Sequence, residues 1–593
     1  MTEFITRFAS YDGAFQVSQF PTENSHDATH IPDSASWSAS ADDLTASTAD
    51  GPATTVLPTV DAARPRRVLE DPPTAARGLG DTLGWTVLGG IVPGVGLLRA
   101  RHRIAGGIIL GVFVVLVGGL AAAYLGARGT VIAIATQPAN LRIIAGALVG
   151  LAVAWVVVIG VSHLALRPAR PTIGRRAAGA AVVGLLSFAV LAPATWGADI
   201  SYTTATAVNN IFEPAQPDNP NVPQLPVVDP WAKTPRVNIL VLGGDSGNGR
   251  AAALGARTDS NMVVSIDTVT GATTLFSLPR QTARMPFPKS SKLHNYFPNG
   301  FYPAGETDSY TKQTGAYNTN YFLNAMLRDL PAYVPKDILG KTKYLGFDAL
   351  KLSVGEALGL KIDYFVFINM NGFKDIINAV GGITVNVNYR IPMGGKNYGT
   401  SYAVQPTGWI DPGPNQHMTG SRALWYARGR FSLNDYSRME RQRCVANALV
   451  QQVSPSTLLT RYQGMASAAQ ETITTDIPQE ALPAFVDLAT RMKGTTMRSV
   501  VFQNAKDGFF TAAPNWSLVR SQVKKALTET AKSNPEPAAT PGSEATPGST
   551  PTPGSTPTPG STAKPKPQKN AQSTNVTDAC AYNPHPYDPK AGG

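Results

Sequence analysis

The sequence predicts an α/β fold set behind a helical membrane region, and three observations predict it. Short apolar runs of the buried-strand type (VNILVL, MVVSID, IDYFVFINM) alternate with helical stretches in residues 236–455. Three longer apolar stretches, about 104–126, 142–166 and 177–198, are each long enough to cross a bilayer. The two ends, 1–80 (rich in Ser, Thr, Ala, Asp and Pro) and 533–593 (with TPGS and TPTPGS repeats over 533–570), lack the periodicity a core needs and read as disordered tails. Strand–helix alternation by itself fits either an α/β or an α+β sandwich.

In order, the chain divides into a cytoplasmic tail (1–80), a membrane region (81–198), a linker (199–235), a folded domain (236–455), an extension of it (456–532) and a tether with a Cys-containing tail (533–593). The polar start MTEFITRFASYDG has no apolar core of the signal-peptide kind. The segment 82–98 is broken by Pro93 and several glycines. Arginines cluster at 64–67, at 99–103 and at 167–176. All three clusters lie on the cytoplasmic side only if 82–98 is re-entrant and the chain crosses three times. Everything after residue 198 then lies outside the cell.

The linker EPAQPDNPNVPQLPVVDP reads as a spacer. VNILVL then forms a strand whose Gly-Gly turn puts Asp245 at its end. MVVSID and TTLFSL form two further strands joined by TVTGA, with Arg257 and Asp259 before the first and Arg280 after the second. Strand ends carrying Asp245, Asp259 and Arg280 make a site rim. Two aspartates suit a hard cation, and magnesium is the default where phosphates share the coordination; each aspartate alone is also an ordinary turn or cap residue. GGDSGNG hints at a phosphate cradle but lacks the lysine of a nucleotide-binding loop. Lys292 in SSKLHN offers a further phosphate contact, whereas His294 has no nucleophile beside it and reads as structural. Residues 315–333 and 346–360 look helical. IDYFVFINM is a strand, followed by a helix, a Gly-Gly turn and another strand. The stretch from Tyr389 to His417 reads as a surface loop.

The densest signal is Trp425 to Arg443, WYARGRFSLNDYSRMERQR, with five arginines and no lysine. Arginine presents a planar fork of donors that matches phosphate oxygens in pairs. Arg428 and Arg430 alternate as on a strand end. Ser432, Asn434 or Asp435 starts a helix, on which Arg438, Arg441 and Gln442 share one face. Aimed at one point, these form an anion site; the plain alternative is a solvated charged helix. The two cysteines, Cys444 and Cys580, both fall on the outer side, where they either pair and pin the tail or stay free thiols.

The formal net charge of +11 does not imply nucleic acid, since no zinc, helix-turn-helix or RNA-binding signature is present and much of the basic charge flanks membrane segments.

Taken in order, VNILVLGGDS, RTDSNMVVSID, LFSLPR, SKLHN, IDYFVFINMNGF, AVGGITVNV, HMTGSRALWYARGR and DYSRMERQR resemble the LytR-CpsA-Psr family of cell-envelope enzymes over about 235–450. The resemblance implies an α/β/α fold with a polyprenyl tunnel. It implies transfer of a phosphoglycosyl polymer from a polyprenyl-pyrophosphate carrier to peptidoglycan, with Mg2+ as cofactor. Asp245 and Asp259 match the family's magnesium-associated positions. Arg257, Arg280, Arg428, Arg430 and Arg438 match its pyrophosphate clamp, and Lys292, Asp435 and Gln442 match further polar positions. Two departures are Gln281, where the family usually has Asp, and Arg443, where it usually has Gln. The membrane arrangement, the DACAYNP tail and the Ala, Arg and Pro usage resemble actinobacterial members. A hydrolase using water as acceptor and a non-catalytic module that binds lipid-linked polymers are the rival readings; a transcriptional regulator conflicts with the outer placement. The charge asymmetry has a direct check: a reporter active only in the cytoplasm, fused after residue 230, is expected to be silent, and an active fusion would reverse the topology.

Overall fold

The computed structural model describes residues 78–126, 134, 137–167, 171–226, 230–245, 255–302, 321–397, 403–453, 472–535 and 573–586. The expected disordered tails fall largely outside these residues, as does the GGDSGNG turn beyond Asp245.

The membrane region opens with α1 (Leu79–Ile91) and α2 (Val95–Arg99). They are separated at Pro93 and Gly94, whose positive φ of 95° favours glycine. With 13 residues α1 is about 20 Å long, short of the roughly 30 Å hydrocarbon core. It packs instead against the longer helices: Trp155 Nε1 donates to Gly90 O at 2.9 Å, and Thr86 Oγ1 shares a hydrogen bond with His163 Nδ1 at 3.0 Å. Among the described residues three helices are long and apolar enough to span: α3 (Arg103–Gly126), α4 (Pro138–Leu166) and α5 (Ile173–Ile211).

At 39 residues α5 is about 58 Å long, so it outruns the bilayer. Its polar end continues past residue 198 against the weak helix propensity of SYTTATAVNN, and Ala205, Ala207, Val208 and Ile211 are buried there. The expected linker of 199–235 is therefore helix up to Ile211. Around Ile211 the chain docks on the domain: Gln479 Nε2 donates to Asn209 Oδ1 at 3.2 Å and to Phe212 O at 2.7 Å, and Tyr344 OH donates to Glu213 Oε1 at 3.1 Å.

The domain begins with β1 (Arg236–Gly244), β2 (Thr258–Asp267) and β3 (Thr273–Ser277). Then come α6 (Leu323–Asp329), α7 (Leu345–Leu358), β4 (Tyr364–Asn369), α8 (Met370–Ala379) and β5 (Ile383–Val387). The expected loop from Tyr389 to His417 is instead a hairpin, β6 (Ile391–Asn397) with β7 (Ala403–Ile410), followed by β8 (Gly413–Met418) on β5. Next are α9 (Gly420–Arg428) and α10 (Asp435–Gln452). The last elements are β9 (Ile473–Thr475), α11 (Leu482–Met492), β10 (Arg498–Val501), α12 (Trp516–Ser533) and β11 (Thr574–Asn575).

The main sheet has the order β11-β10-β3-β2-β1-β4-β9, with β1–β4 and β10–β3 parallel and the other neighbours antiparallel. Successive residues of β1 enter opposite layers, as strand geometry requires. Leu240 and Leu242 pack with Phe365, Phe367, α7 and α12 on one face. Val237 packs with Tyr364 and α11 on the other. The domain is thus an α/β/α sandwich with an open mixed sheet. Phe347 of α7 stacks on Phe365 at 4.2 Å, so the IDYFVFINM run is core on this face. A third cluster joins α8, α9 and α10 to β5, β6 and β8.

One buried ionic knot ties the docked chain to the sandwich. Lys351 Nζ of α7 contacts Asp476 Oδ2 at 2.5 Å and Asp348 Oδ1 at 3.2 Å, and donates to Asn221 O at 2.7 Å. Asp476 Oδ1 in turn accepts from Phe365 N of β4 at 2.7 Å. The Lys351 side chain is only 4% exposed, so removing the cation strands two buried carboxylates. Lys351→Ala is expected to cost about 3–5 kcal/mol in denaturant unfolding of the full chain, and a cost under about 1 kcal/mol would contradict this role.

Candidate active site

The site forms where the sheet's own directions converge. β1, β3 and β4 run parallel and end at one edge, where β2 begins; Gly244 pairs with Thr258 on one side and Asn369 on the other. A Cβ on Gly244 would lie 2.4 Å from Phe367 Cζ, so only glycine lets the strand end pass that ring. The edge presents Asp245 after β1, Asp259 at the start of β2 and Arg280 after β3. Asp245 is exposed and Arg257 is half-buried.

Opposite this edge, α9 and α10 meet at a turn. Asn434 caps α10 by accepting from Ser437 N at 2.8 Å. Arg428 is the last residue of α9, not part of a strand, and Gly429 follows it as the cap. The YAR segment is helical because Ala423, Tyr426 and Ala427 bury one helical face in the third cluster. A Cβ on Gly429 would lie 2.4 Å from Pro392 O, so glycine is needed where the turn crosses the hairpin. Ser432 adopts φ 60° in the same turn.

The two halves are joined by charge. Arg280 Nη1 donates to Asp259 Oδ1 at 2.6 Å, and Arg280 Nε lies 3.6 Å from Asp435 Oδ1. Arg438, 3% exposed, donates from Nη2 to Asp259 O at 2.7 Å and to Asp435 Oδ2 at 3.1 Å. Arg430 Nη1 lies 3.6 Å from Asp435 Oδ1. Among the described residues three arginines therefore share two carboxylates, and cationic charge is left over. The buried Nε–H groups of Arg280 and Arg438 have no hydrogen-bond acceptor among the described residues. Burial pushes Arg438 down to about 10, with Asp435 pulling it back up, so it stays charged at neutral pH. Arg428 lies over the Trp425 ring at 5.1 Å and against Met370 Sδ. Partial desolvation and then the like charge of Arg430 lower its pKa, while Asp259 and Asp245 act in the other direction. Both expected metal-site aspartates thus act on Arg428.

Not every expected site residue joins this cluster. Gln442 accepts from Ser260 Oγ at 2.9 Å and donates to Ala427 O at 3.4 Å, tying the start of β2 to the end of α9. Lys292 is exposed at the start of a short helical turn, and no contact links it to the cluster among the described residues. His294 is half-buried and Gln281 is exposed. Arg443 brings no charge to the site: it is buried, and its Nη1 donates to Ser499 Oγ at 3.0 Å and Thr574 Oγ1 at 3.1 Å. Cys444 and Cys580 are joined as a disulfide. Arg441, which helical spacing places beside Arg438, holds the turn from behind. Its Nε donates to Tyr426 O at 2.6 Å, Nη1 to Tyr389 OH at 2.8 Å, and Nη2 to Gly429 O. Tyr389 carries no sequence signal beyond being an aromatic residue after a strand.

Among the described residues no three His, Cys, Asp or Glu side chains converge as a metal site. Asp245 and Asp259 are instead two carboxylates at one sheet edge. That donor set fits magnesium only when substrate phosphates and water complete the coordination, the usual arrangement for this ion.

The profile of the LytR_cpsA_psr family matches residues 200–532. The polyisoprenyl-teichoic acid–peptidoglycan teichoic acid transferase TagU of Bacillus cereus is 23% identical over 359 residues, covering 60% of this chain and 96% of that protein. The transferase of the same name from Enterococcus faecalis is 25% identical over 301 residues, covering 50% and 78%. The crystal structure of Bacillus subtilis TagV is 23% identical, covers 51% of this chain and 98% of that one, and superposes with a TM-score of 0.31.

The ion network has a pH signature. Burial opposes the charge of Asp259, but Arg280, then Arg438 and Arg430, outweigh it and hold the carboxyl below its ordinary 3.8. A carboxyl depressed on folding contributes stability that is complete above its unfolded value and lost as pH falls below it. The stability difference between wild type and Asp259→Asn is therefore expected to be constant near pH 7 and to shrink toward about pH 3. A difference that persists unchanged into acid would contradict the pairing.

Proposed function

The chain belongs to the LytR-CpsA-Psr family, and from that premise we propose that it transfers a phosphoglycosyl polymer from a polyprenyl-pyrophosphate carrier to peptidoglycan. The observation that carries this reading is the gathering of Arg280, Arg430 and Arg438 around Asp259 and Asp435, with more cationic than anionic charge. A diphosphate is the ligand such a cluster suits. It carries multiple charges and paired oxygens, and guanidinium forks bind oxygens in pairs.

Phosphoryl transfer asks the protein mainly for positioning and charge neutralisation. Arg280, Arg430 and Arg438 would orient the diphosphate and stabilise charge on the departing polyprenyl phosphate. Arg428 and Arg257 would extend the clamp. The acceptor hydroxyl oxygen forms the new bond to the phosphorus that bears the glycan, and the bond to the bridging oxygen breaks. The hydroxyl proton passes to a carboxylate, for which exposed Asp245 is the candidate. Asp245 and Asp259 would hold magnesium, which neutralises diphosphate charge when bound.

The same reading puts the domain outside the cell on three spans, where a lipid-carried donor and a wall acceptor meet. The TagU relatives are named for teichoic acid; that polymer is one candidate here among wall glycopolymers. The DACAYNP tail and the Ala, Arg and Pro usage support a member of actinobacterial type, whereas the relatives from Bacillus and Enterococcus support the family alone.

The test uses the full chain in detergent with a polyprenyl-pyrophosphate-linked sugar and a peptidoglycan oligomer. Linked product is expected to need a divalent cation, and Arg430→Ala is expected to lower it by about 10²–10³, as for loss of one charge-stabilising donor. Turnover unaffected by chelation would remove magnesium from the reaction. Polyprenyl phosphate released without linked product would point to hydrolysis instead.

A further inference from the structure

The C-terminal segment 573–586 returns to the domain and reaches the back of the arginine turn. Thr574 and Asn575 form β11 at the sheet edge on β10, and Val576 is fully buried. From there the backbone is gripped by the strand that precedes Tyr389. Asn386 Nδ2 donates to Cys580 O at 2.9 Å, Asn388 Nδ2 donates to Ala581 O at 3.1 Å, and Asn388 Oδ1 accepts from Asn583 N at 2.8 Å. His585 N donates to Asn388 O at 3.1 Å, and the His585 ring packs on Tyr389 at 5.7 Å.

Two routes then converge on Arg441. Tyr389 OH accepts from Arg441 Nη1, while Asn386 O accepts from Tyr426 OH at 3.2 Å and Tyr426 O accepts from Arg441 Nε. The same guanidinium holds Gly429 O, the carbonyl between Arg428 and Arg430. Arg441 is 4% exposed and has all three nitrogens engaged, so it cannot shift without moving that turn.

We infer that Arg441 and Tyr389 are positioning residues for Arg428 and Arg430, and that the docked segment 580–585 sets them from the far side of the domain. The tail is thus an internal brace of the anion site. Its effect falls on the geometry of the turn, separately from the disulfide that anchors it. The consequence for ligand binding rests on the function proposed above; the coupling of tail to turn does not.

The experiment compares the full chain in detergent with Tyr389→Phe, with a chain ending at Tyr582, and with the two combined. Ending at Tyr582 keeps the Cys444–Cys580 disulfide and β11, and the described residues that it removes, 583–586, are exposed. Hydrogen exchange over Tyr426 to Phe431 reads the turn without any ligand. It is expected to quicken in each single variant, and the combined variant is expected to match Tyr389→Phe alone, since both act through one ring. Unchanged exchange, or effects that simply multiply, would overturn the brace.

Inorganic pyrophosphate and inorganic phosphate are then titrated by calorimetry. Tyr389→Phe is expected to weaken pyrophosphate about tenfold, the size of one hydrogen bond to a charged group, and the truncation about threefold. The preference for pyrophosphate over phosphate should fall in both. General destabilisation would leave that preference unchanged and so overturn the positioning role. A wild type that binds no pyrophosphate would instead remove the proposed function, while the exchange result would still decide the brace.

Discussion

A guanidinium as deeply buried as that of Arg438 must be given acceptors, and the site is arranged around that demand. Its partners are the backbone carbonyl of Asp259 and the carboxylate of Asp435, which belong to opposite halves of the domain. The pairing docks the start of α10 onto the start of β2. In doing so it brings Arg280, on the sheet, within reach of the same aspartate that faces Arg430, on the turn. Asp435 sits in the first turn of α10, where the helix dipole also favours a carboxylate. Two carboxylates are enough to hold the arginines together and too few to neutralise them. That imbalance is what makes the cluster suited to an added anion.

Support for this arrangement comes from outside it. The long helix α5 leaves the apolar region, and its end and the chain just after it are fastened to the domain by Gln479, Tyr344 and the Lys351 knot, so the sandwich is joined to its last span by specific contacts. On the other side, Arg441 and Arg443 turn arginine to structural use: one braces the turn, the other secures the edge strand beside the disulfide. Of the five arginines in the 425–443 stretch, these two serve architecture while Arg430 and Arg438 join the ion network. Arg428 stands beside that network on Trp425.

Much of this was legible in the sequence, for physical reasons that can be stated. β1, β2 and β4 are covered on both faces, so they appear as unbroken apolar runs. β6, β7 and β8 bring Ile391, Ile410 and Met418 into the third cluster among glycines, prolines and polar residues, so the hairpin leaves no apolar pattern and reads as a loop. The end of α5 is rich in Ala and Thr, and it passed for a spacer beside the prolines just after it. The alternation of Arg428 and Arg430 suggested a strand, because a helix end and its glycine cap produce the same spacing. Within α10, helical periodicity placed Arg438, Arg441 and Gln442 on one face but not the direction each long side chain takes. Arg438 reaches forward to Asp259 and Arg441 reaches back to the turn. The role of Tyr389 depends on a tail far away in sequence, which no local pattern encodes.

The central claim is that the arginine cluster bridged by Asp435 is where a lipid diphosphate binds. The measurement that tests it most directly is a cryo-EM or crystal structure of the full chain with a short prenyl diphosphate. The diphosphate oxygens are expected about 3 Å from the guanidinium groups of Arg280, Arg430 and Arg438, in charge-assisted hydrogen bonds. A well-ordered diphosphate elsewhere, with these arginines still paired only to Asp259 and Asp435, would contradict the claim.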